Sequence, residues 1–136
     1  MSLDDISSCG IYGENVNIQS NLPLTETTLF ILLSLSPQPK HGYAIMKDVE
    51  VLSHGRIRLS TGTLYGAIKR LLERGWIERV AEDEEQENAH TEQNRNGRIR
   101  KSYRLTSLGR RILKAETERL RSILATAQEA MAGAQS

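Results

Sequence analysis

Short hydroxyl, aromatic and basic side chains between residues 60 and 70 have the chemistry needed to contact phosphate groups. Hydroxyls, helix N-terminal amides and long cations are the groups that bind the DNA backbone. A second basic cluster lies near residue 100. The predicted DNA-binding residues are Ser60, Thr61, Thr63, Tyr65, Lys69, Arg70, Arg98, Arg100 and Lys101. Either cluster alone is also typical of a solvated surface, so the prediction depends on the elements that carry them.

The charge distribution agrees with a basic surface. The net charge is only +1, yet all 18 Lys and Arg residues lie within residues 40–121. Six acidic residues are concentrated in residues 82–92, and the rest of residues 40–121 has 18 basic against 6 acidic side chains. A composition that is nearly neutral on average therefore conceals a basic central region.

The apolar spacing predicts three helices before the second basic cluster. Thr25 and Ser60 are suitable N-caps for the first and third helices, and the second follows His41-Gly42. Prolines after residue 36 end the first helix, and Gly75 ends the third. The third helix has one buried stripe, formed by Leu64, Ile68, Leu71 and Leu72. The hydroxyl and basic residues lie on its opposite face.

Alternating polar and apolar residues predict short strands. Arg56 to Leu59 is a candidate for a very short one, and residues 76–80 and 98–105 are candidates for a hairpin around a polar loop at 82–97. From Ser107 onward, the pattern predicts one long helix of roughly 25 residues. Its apolar residues recur at a seven-residue spacing and form the predicted dimerisation stripe: Leu113, Leu120, Leu124, Ala127 and Met131.

This order predicts a mostly α fold with a small β-hairpin, a winged helix-turn-helix domain followed by a long C-terminal helix. In such a domain the third helix enters the major groove and the hairpin forms a wing. We divide the chain into a flexible arm (1–22), the DNA-binding domain (23–106) and a dimerisation helix with its tail (107–136). The helix would expose its stripe in an isolated protomer, which favours pairing with a second copy. The alternative is that the helix folds back on its own domain.

Four ordered motifs resemble the PadR-like family of winged-helix transcriptional regulators. They span His41 to Ile45, Ser60 to Leu71, Glu73 to Ile77, and Gly97 to Gly109. The resemblance covers residues 24 to about 125. It implies a homodimeric repressor on a near-palindromic operator, with Tyr65, the nearby hydroxyls and the wing bases at the DNA.

The sequence departs from the family pattern at two places. Ser102 replaces a common aromatic residue, for which we expect a minor loss of packing. The loop at 82–96 is longer and more acidic than usual, so we expect its tip to avoid phosphate. We expect the repressor to be released by an effector. The resemblance implies that planar aromatic or cationic ligands can bind between the dimer helices, but residues 107–136 contain no aromatic residue for stacking. The effector is therefore unidentified.

Other classes of function have less support. No nucleophile elbow, metalloprotease motif or phosphate-binding loop occurs, so we expect no enzyme. The histidines and Cys9 share no metal-ligand spacing, and we expect neither metal nor cofactor. A single cysteine, no long apolar run and no base before Lys40 indicate a cytoplasmic protein rather than a membrane or secreted one. The alternative that remains is a winged-helix protein-interaction module that does not bind DNA.

Overall fold

The computed structural model describes residues 18–80 and 101–135. The chain divides into two compact units, one formed by residues 25–110 and the other by the described parts of residues 1–24 and 111–136. The elements in chain order are α1 (Glu26–Leu35), β1 (Lys40–His41), α2 (Gly42–Leu52), α3 (Thr61–Arg74), β2 (Ile77–Arg79), β3 (Ser102–Leu105) and α4 (Ser107–Gln135). This order confirms the predicted winged helix-turn-helix fold with a long terminal helix.

Helices α1 and α2 carry much of the core of the first unit. Thr25 is the predicted N-cap, and its Oγ1 accepts the backbone N–H of Thr28 at 3.2 Å. The side chain of Asp48 on α2 links three elements: it accepts the Ser34 hydroxyl of α1 at 3.0 Å and pairs with Lys40 of β1. Because both partners reach the same carboxylate oxygen, this partly buried charge is compensated.

The segment from Arg56 to Leu59 forms no strand, so that prediction is wrong. Its backbone is used in a turn instead. The Ile57 N–H donates to the Ser53 hydroxyl at 2.9 Å, and the Arg56 N–H donates to the Ser53 carbonyl at 3.1 Å. Ser53 is fully buried. An alternating pattern makes a strand only where a partner strand is available, and here a buried serine takes those donors.

The sheet has three antiparallel strands in the order β1–β3–β2. Strands β2 and β3 are the predicted hairpin, in shorter form, with Ile77 opposite Leu105. The strand that sequence analysis missed is β1, whose His41 lies opposite Ser102. Residues 81–100 contain the predicted acidic loop and lie outside the described residues.

Ser102 does more than leave a gap in the packing. It is only 3 % exposed, and its hydroxyl lies 2.9 Å from Nδ1 of His41, within hydrogen-bond distance. The same ring nitrogen lies 3.4 Å from the carbonyl oxygen of Lys101. A polar contact between β1 and β3 at the base of the wing therefore takes the place of the aromatic packing that Ser102 cannot make.

The first turn of α4 packs tightly against the chain that follows α3. The Thr106 Oγ1 accepts the Gly109 N–H at 3.0 Å and donates to the Gly75 carbonyl at 2.6 Å. A Cβ built on Gly109 would stand 2.0 Å from the carbonyl oxygen of Trp76. Only glycine permits so close an approach between the helix and this backbone.

In the second unit, α4 continues to Gln135 and is 29 residues long, somewhat longer than predicted. Residues 18–20 are also helical, and Ile18 is only 8 % exposed. The last part of the predicted flexible arm is therefore folded. The rest of that arm, residues 1–17, lies outside the described residues.

Candidate nucleic-acid interface

Helix α3 separates its buried and exposed faces as the sequence predicts, with one correction: the predicted Leu72 is only half-buried, and Ala67 takes its place on the inner face. Its inner face consists of Leu64, Ala67, Ile68 and Leu71, each at most 4 % exposed. All six predicted contact residues of this segment lie on its exposed side: Ser60, Thr61, Thr63, Tyr65, Lys69 and Arg70. The helix ends at Gly75, whose φ of 77° is the left-handed conformation that favours glycine. One continuous polar and basic surface is the result.

Two of the hydroxyls at the start of α3 are bonded to each other. The Ser60 Oγ accepts the backbone N–H of Thr63 at 3.1 Å, and the Ser60 hydroxyl donates to Thr63 Oγ1 at 3.0 Å. Ser60 is thus the predicted N-cap. The cap satisfies one of the N-terminal amides of the helix, and the positive end of the helix dipole at this place favours an anion such as phosphate.

Tyr65 is positioned by the helix-turn-helix itself. A Cβ built on Gly42 would stand 2.2 Å from the Tyr65 Oη, so the phenol ring lies directly against the start of α2. The ring is still 44 % exposed. The glycine in the His41-Gly42-Tyr43 motif therefore makes room for the tyrosine of the next helix, and the hydroxyl is held between the two helices at the surface.

The cations of the candidate interface differ in how they are paired. The Lys69 Nζ lies 3.4 Å from Glu73 one turn later on α3, in a highly exposed ion pair that contributes little to stability. Arg70 and Lys101 are exposed as well. Arg98 and Arg100, the remaining predicted contacts, lie outside the described residues. A weak, exposed pair at Lys69 can be exchanged for phosphate at low cost.

Two exposed residues of α2 belong to the same surface and were missed by sequence analysis. Tyr43 is 65 % exposed, and the Lys47 Nζ lies 5.7 Å above the centroid of its ring. Because Tyr65 rests on Gly42, the start of α2 is adjacent to the exposed side of α3. The available signal was the spacing of a tyrosine and a lysine one turn apart on the helix that crosses the backbone in such domains.

Other basic residues of the central region have partners within the chain. Arg56 pairs with Glu26 at 2.6 Å and Arg104 with Glu78 at 2.8 Å. The Arg74 guanidinium lies 5.1 Å from the ring centroid of Trp76, which is buried as expected of a core residue. The ion pairs of Arg56 and Arg104 are exposed and contribute little to stability, so both arginines stay at the surface.

The predicted dimerisation residues of α4 differ in exposure. Leu113 is 8 % exposed and already buried in the protomer. Leu120, Leu124 and Met131 are 39 %, 56 % and 64 % exposed, and Ala127 is half-buried. Ile123, 50 % exposed, adjoins this stripe and was not selected from the seven-residue spacing. The exposed apolar stripe consists of Leu120, Ile123, Leu124, Ala127 and Met131.

Glu116 interrupts the apolar face one turn before this stripe. It is 1 % exposed, and its carboxylate accepts hydrogen bonds from Arg119 and from the backbone N–H of Leu24. The hydrogen bond from Arg119 holds the pKa of Glu116 below its ordinary value and raises the pKa of Arg119. Both groups are therefore charged at neutral pH.

Neither a membrane span nor a metal centre is found in the described part of the chain. Within residues 18–80 and 101–135, no helix combines the length and hydrophobicity needed to traverse a bilayer. The same residues contain no group of three or more His, Cys, Asp or Glu side chains arranged to hold a metal ion.

The fold is that of a winged-helix DNA-binding domain, and comparison with known proteins defines its family. Residues 31–115 match the transcriptional regulator PadR-like family. The match covers more than half of the chain, and the chain belongs to this family of transcriptional regulators.

Solved structures with the same fold include other members of this family. The chain is similar to a PadR family transcription regulator from hypervirulent Clostridium difficile R20291, with 24 % identity, 79 % of this chain and 99 % of that one covered, and a TM-score of 0.57. A PadR family regulator from Eggerthella lenta DSM 2243 has 23 % identity, 94 % coverage of both chains and a TM-score of 0.53. A transcriptional regulator from Clostridium thermocellum has 22 % identity, coverage of 91 % and 96 %, and a TM-score of 0.56. No curated protein matches the chain.

Proposed function

We propose that this protein is a homodimeric, sequence-specific transcriptional repressor that binds a near-palindromic operator and is released by an effector of unidentified chemistry. The observation that carries the proposal is the exposed side of α3, where hydroxyls, a wedged tyrosine and basic side chains face away from a fully apolar inner face. Such a helix can enter the major groove while its flanks contact the backbone.

The contacts fall into two groups with different roles. Ser60, Thr61 and Lys69, with Lys101 at the wing base, would contact phosphates, which fix orientation but carry no sequence information. Thr63, Tyr65 and Arg70 are suited to base edges, because Arg donates to guanine and hydroxyls to several bases. Tyr43 and Lys47 would extend the phosphate contacts onto α2. Arg98 and Arg100 remain predicted contacts of the wing.

The exposed apolar stripe of α4 is the proposed dimer interface. Burying one leucine side chain is worth about 1.5–3 kcal/mol, and a two-fold axis counts each residue twice. Two recognition helices related by this axis would address half-sites about one helical turn, or roughly 10 base pairs, apart.

The first experiment selects sequences from a random DNA pool with the purified full chain. We expect enrichment of a near-palindrome with half-sites about 10 base pairs apart, and affinity that falls steeply with salt because counterions are released. Enrichment of no sequence, with binding absent even at low salt, would favour the protein-interaction module instead.

Lys69 and Glu73 offer a matched pair of variants for the second experiment. Lys69→Ala and Glu73→Gln both break the same ion pair, so their effects on stability should be similarly small. Their effects on DNA affinity should differ. Lys69→Ala should weaken binding and lower the salt slope by about one unit for each phosphate that is no longer neutralised. Glu73→Gln should leave affinity equal or raise it, since it removes a competing carboxylate. Equal effects of the two variants would contradict the assignment of α3.

The dimer interface is tested by charge substitution with a control on the same helix. The double variant Leu120→Glu/Leu124→Glu should sediment as a monomer and show almost no operator binding, because it places charge in an apolar interface. Ser122→Glu combined with Thr126→Glu has the same spacing on the opposite, exposed side of α4 and should remain dimeric. A dimeric Leu120/Leu124 variant would disprove the interface.

A further inference from the structure

Residues 18–24 are packed rather than loose. They belong to the same compact unit as the part of α4 beyond residue 110. Residues 18–20 are helical, and the turn after them is closed by the Asn21 N–H to the Ile18 carbonyl at 3.3 Å. The Ile18 side chain is almost completely buried. The segment thus has an ordered backbone and one buried apolar side chain, while its other side chains are exposed or half-buried.

One buried carboxylate joins this segment to the terminal helix. The Glu116 Oε2 accepts the Leu24 backbone N–H at 3.1 Å, across a separation of 92 residues in sequence. The same carboxylate accepts from Arg119 Nε at 2.6 Å and from Nη2 at 2.9 Å. A carboxylate this deeply buried is destabilising unless its oxygens are hydrogen-bonded. Here the helix supplies one partner and the N-terminal segment the other.

The link lies where α4 changes from buried to exposed. Ile112 and Leu113, one turn before Glu116, are buried, whereas Leu120, one turn after it, is the first residue of the exposed apolar stripe. From Leu120 to Met131 the large apolar side chains of the helix are 39–64 % exposed. Isolated helical segments of this kind fray at low free energy. Contacts just before Leu120, where the stripe begins, are therefore well placed to order this part of the helix in the protomer before it dimerises.

We propose that residues 18–24 act as a clamp that preorganises α4 for a second copy of this chain, with Glu116 as the positioning residue. The inference rests on the homodimer proposed above. Any ordering of α4 that has to occur on association weakens the dimer, and a clamp that supplies this order beforehand strengthens it. The N-terminal segment would thus contribute to dimer affinity without itself having to touch the partner.

The test compares dimer dissociation constants, measured by sedimentation of the full chain and its variants. Glu116→Ala and a deletion of residues 1–24 each break the link, and each should weaken dimerisation by about tenfold, the effect expected for loss of one charge-assisted hydrogen bond. The dissociation constant of the combined variant should be no higher than that of the more affected single variant, because both changes remove the same interaction. Glu116→Gln, which keeps an acceptor for Leu24 but no charge for Arg119, should lie between.

Two controls separate the clamp from general damage. Glu118→Ala alters an exposed carboxylate on the same helix, and deletion of residues 1–17 leaves the clamp in place; both should stay within about twofold of the wild type. Hydrogen exchange, measured at protein concentrations below the dimer dissociation constant, supplies a second measurement. In the clamp variants, amides of residues 117–131 should exchange faster while those of α3 keep their protection.

Additive effects of the two changes, or unchanged exchange in residues 117–131, would overturn the clamp. If the wild type dimerises and binds DNA but Glu116→Ala behaves identically, the clamp alone is disproved. A wild type that stays monomeric at every concentration would disprove the homodimer, and the clamp with it.

Discussion

Gly109→Ala tests the closest backbone approach in the fold. The added methyl would lie 2.0 Å from the carbonyl oxygen of Trp76 and 2.9 Å from its carbonyl carbon. Both atoms are backbone, so no side-chain rotation relieves the overlap. The same carbonyl accepts the Thr106 N–H at 3.0 Å, and a shift of α4 would lengthen that bond.

The expected magnitude combines three contributions, two that destabilise and one that stabilises. Overpacking of a tight site costs about 1–3 kcal/mol. Alanine is favoured over glycine inside a helix by about 0.5–1 kcal/mol, which offsets part of that cost. Loss of the Thr106 hydrogen bond adds about 1 kcal/mol. We therefore expect Gly109→Ala to lower the free energy of unfolding by about 2 kcal/mol.

Urea denaturation at fixed protomer concentration measures this difference. The protein has a single tryptophan, Trp76, which is buried beside the substitution and reports unfolding by its fluorescence. Gly133→Ala is the matched control, because it lies in the same helix and its added methyl meets nothing within 4 Å. That variant should be neutral or slightly stabilised. If Gly109→Ala proved as stable as Gly133→Ala, the proposed packing of the first turn of α4 on Trp76 would be refuted.

Three further predictions concern the interface, the buried carboxylate and a helix cap. Gly42→Ala should displace the exposed ring of Tyr65 and weaken DNA binding several-fold with little loss of stability, as judged by titration of labelled operator and by thermal melting. Because the hydrogen bond from Arg119 lowers the pKa of Glu116, its stabilising effect is present above the ordinary value of 4.5 and is lost as pH falls through the lowered pKa; unfolding free energies between pH 7 and pH 3 should fall less steeply in Glu116→Gln. Ser60→Ala removes the N-cap of α3 and should cost about 1 kcal/mol in urea denaturation.

Much of the local structure was predictable from the sequence because its causes are local. A cap needs one side-chain oxygen within three residues of its amide, so Thr25 and Ser60 identify helix starts directly. The period of apolar residues identifies the inner side of α3 and, by exclusion, its polar outer side. The motif around Ser60 to Leu71 also indicates the family. Fold class and the residues of the candidate interface on α3 follow from these signals.

The remaining features depend on partners that are distant in sequence. Two short segments, Arg56 to Leu59 and Lys40–His41, could each have formed a strand. Only Lys40–His41 does so, because the folded chain places it beside Ser102. The contact between Gly42 and Tyr65 likewise exists only once two helices have packed. From the sequence alone Glu116 would be expected on the solvated side of the helix. In the structure its Oε2 accepts the backbone N–H of Leu24, 92 residues earlier in the chain. A polar side chain can be buried only where hydrogen-bond donors surround it, and tertiary packing alone determines which donors those are.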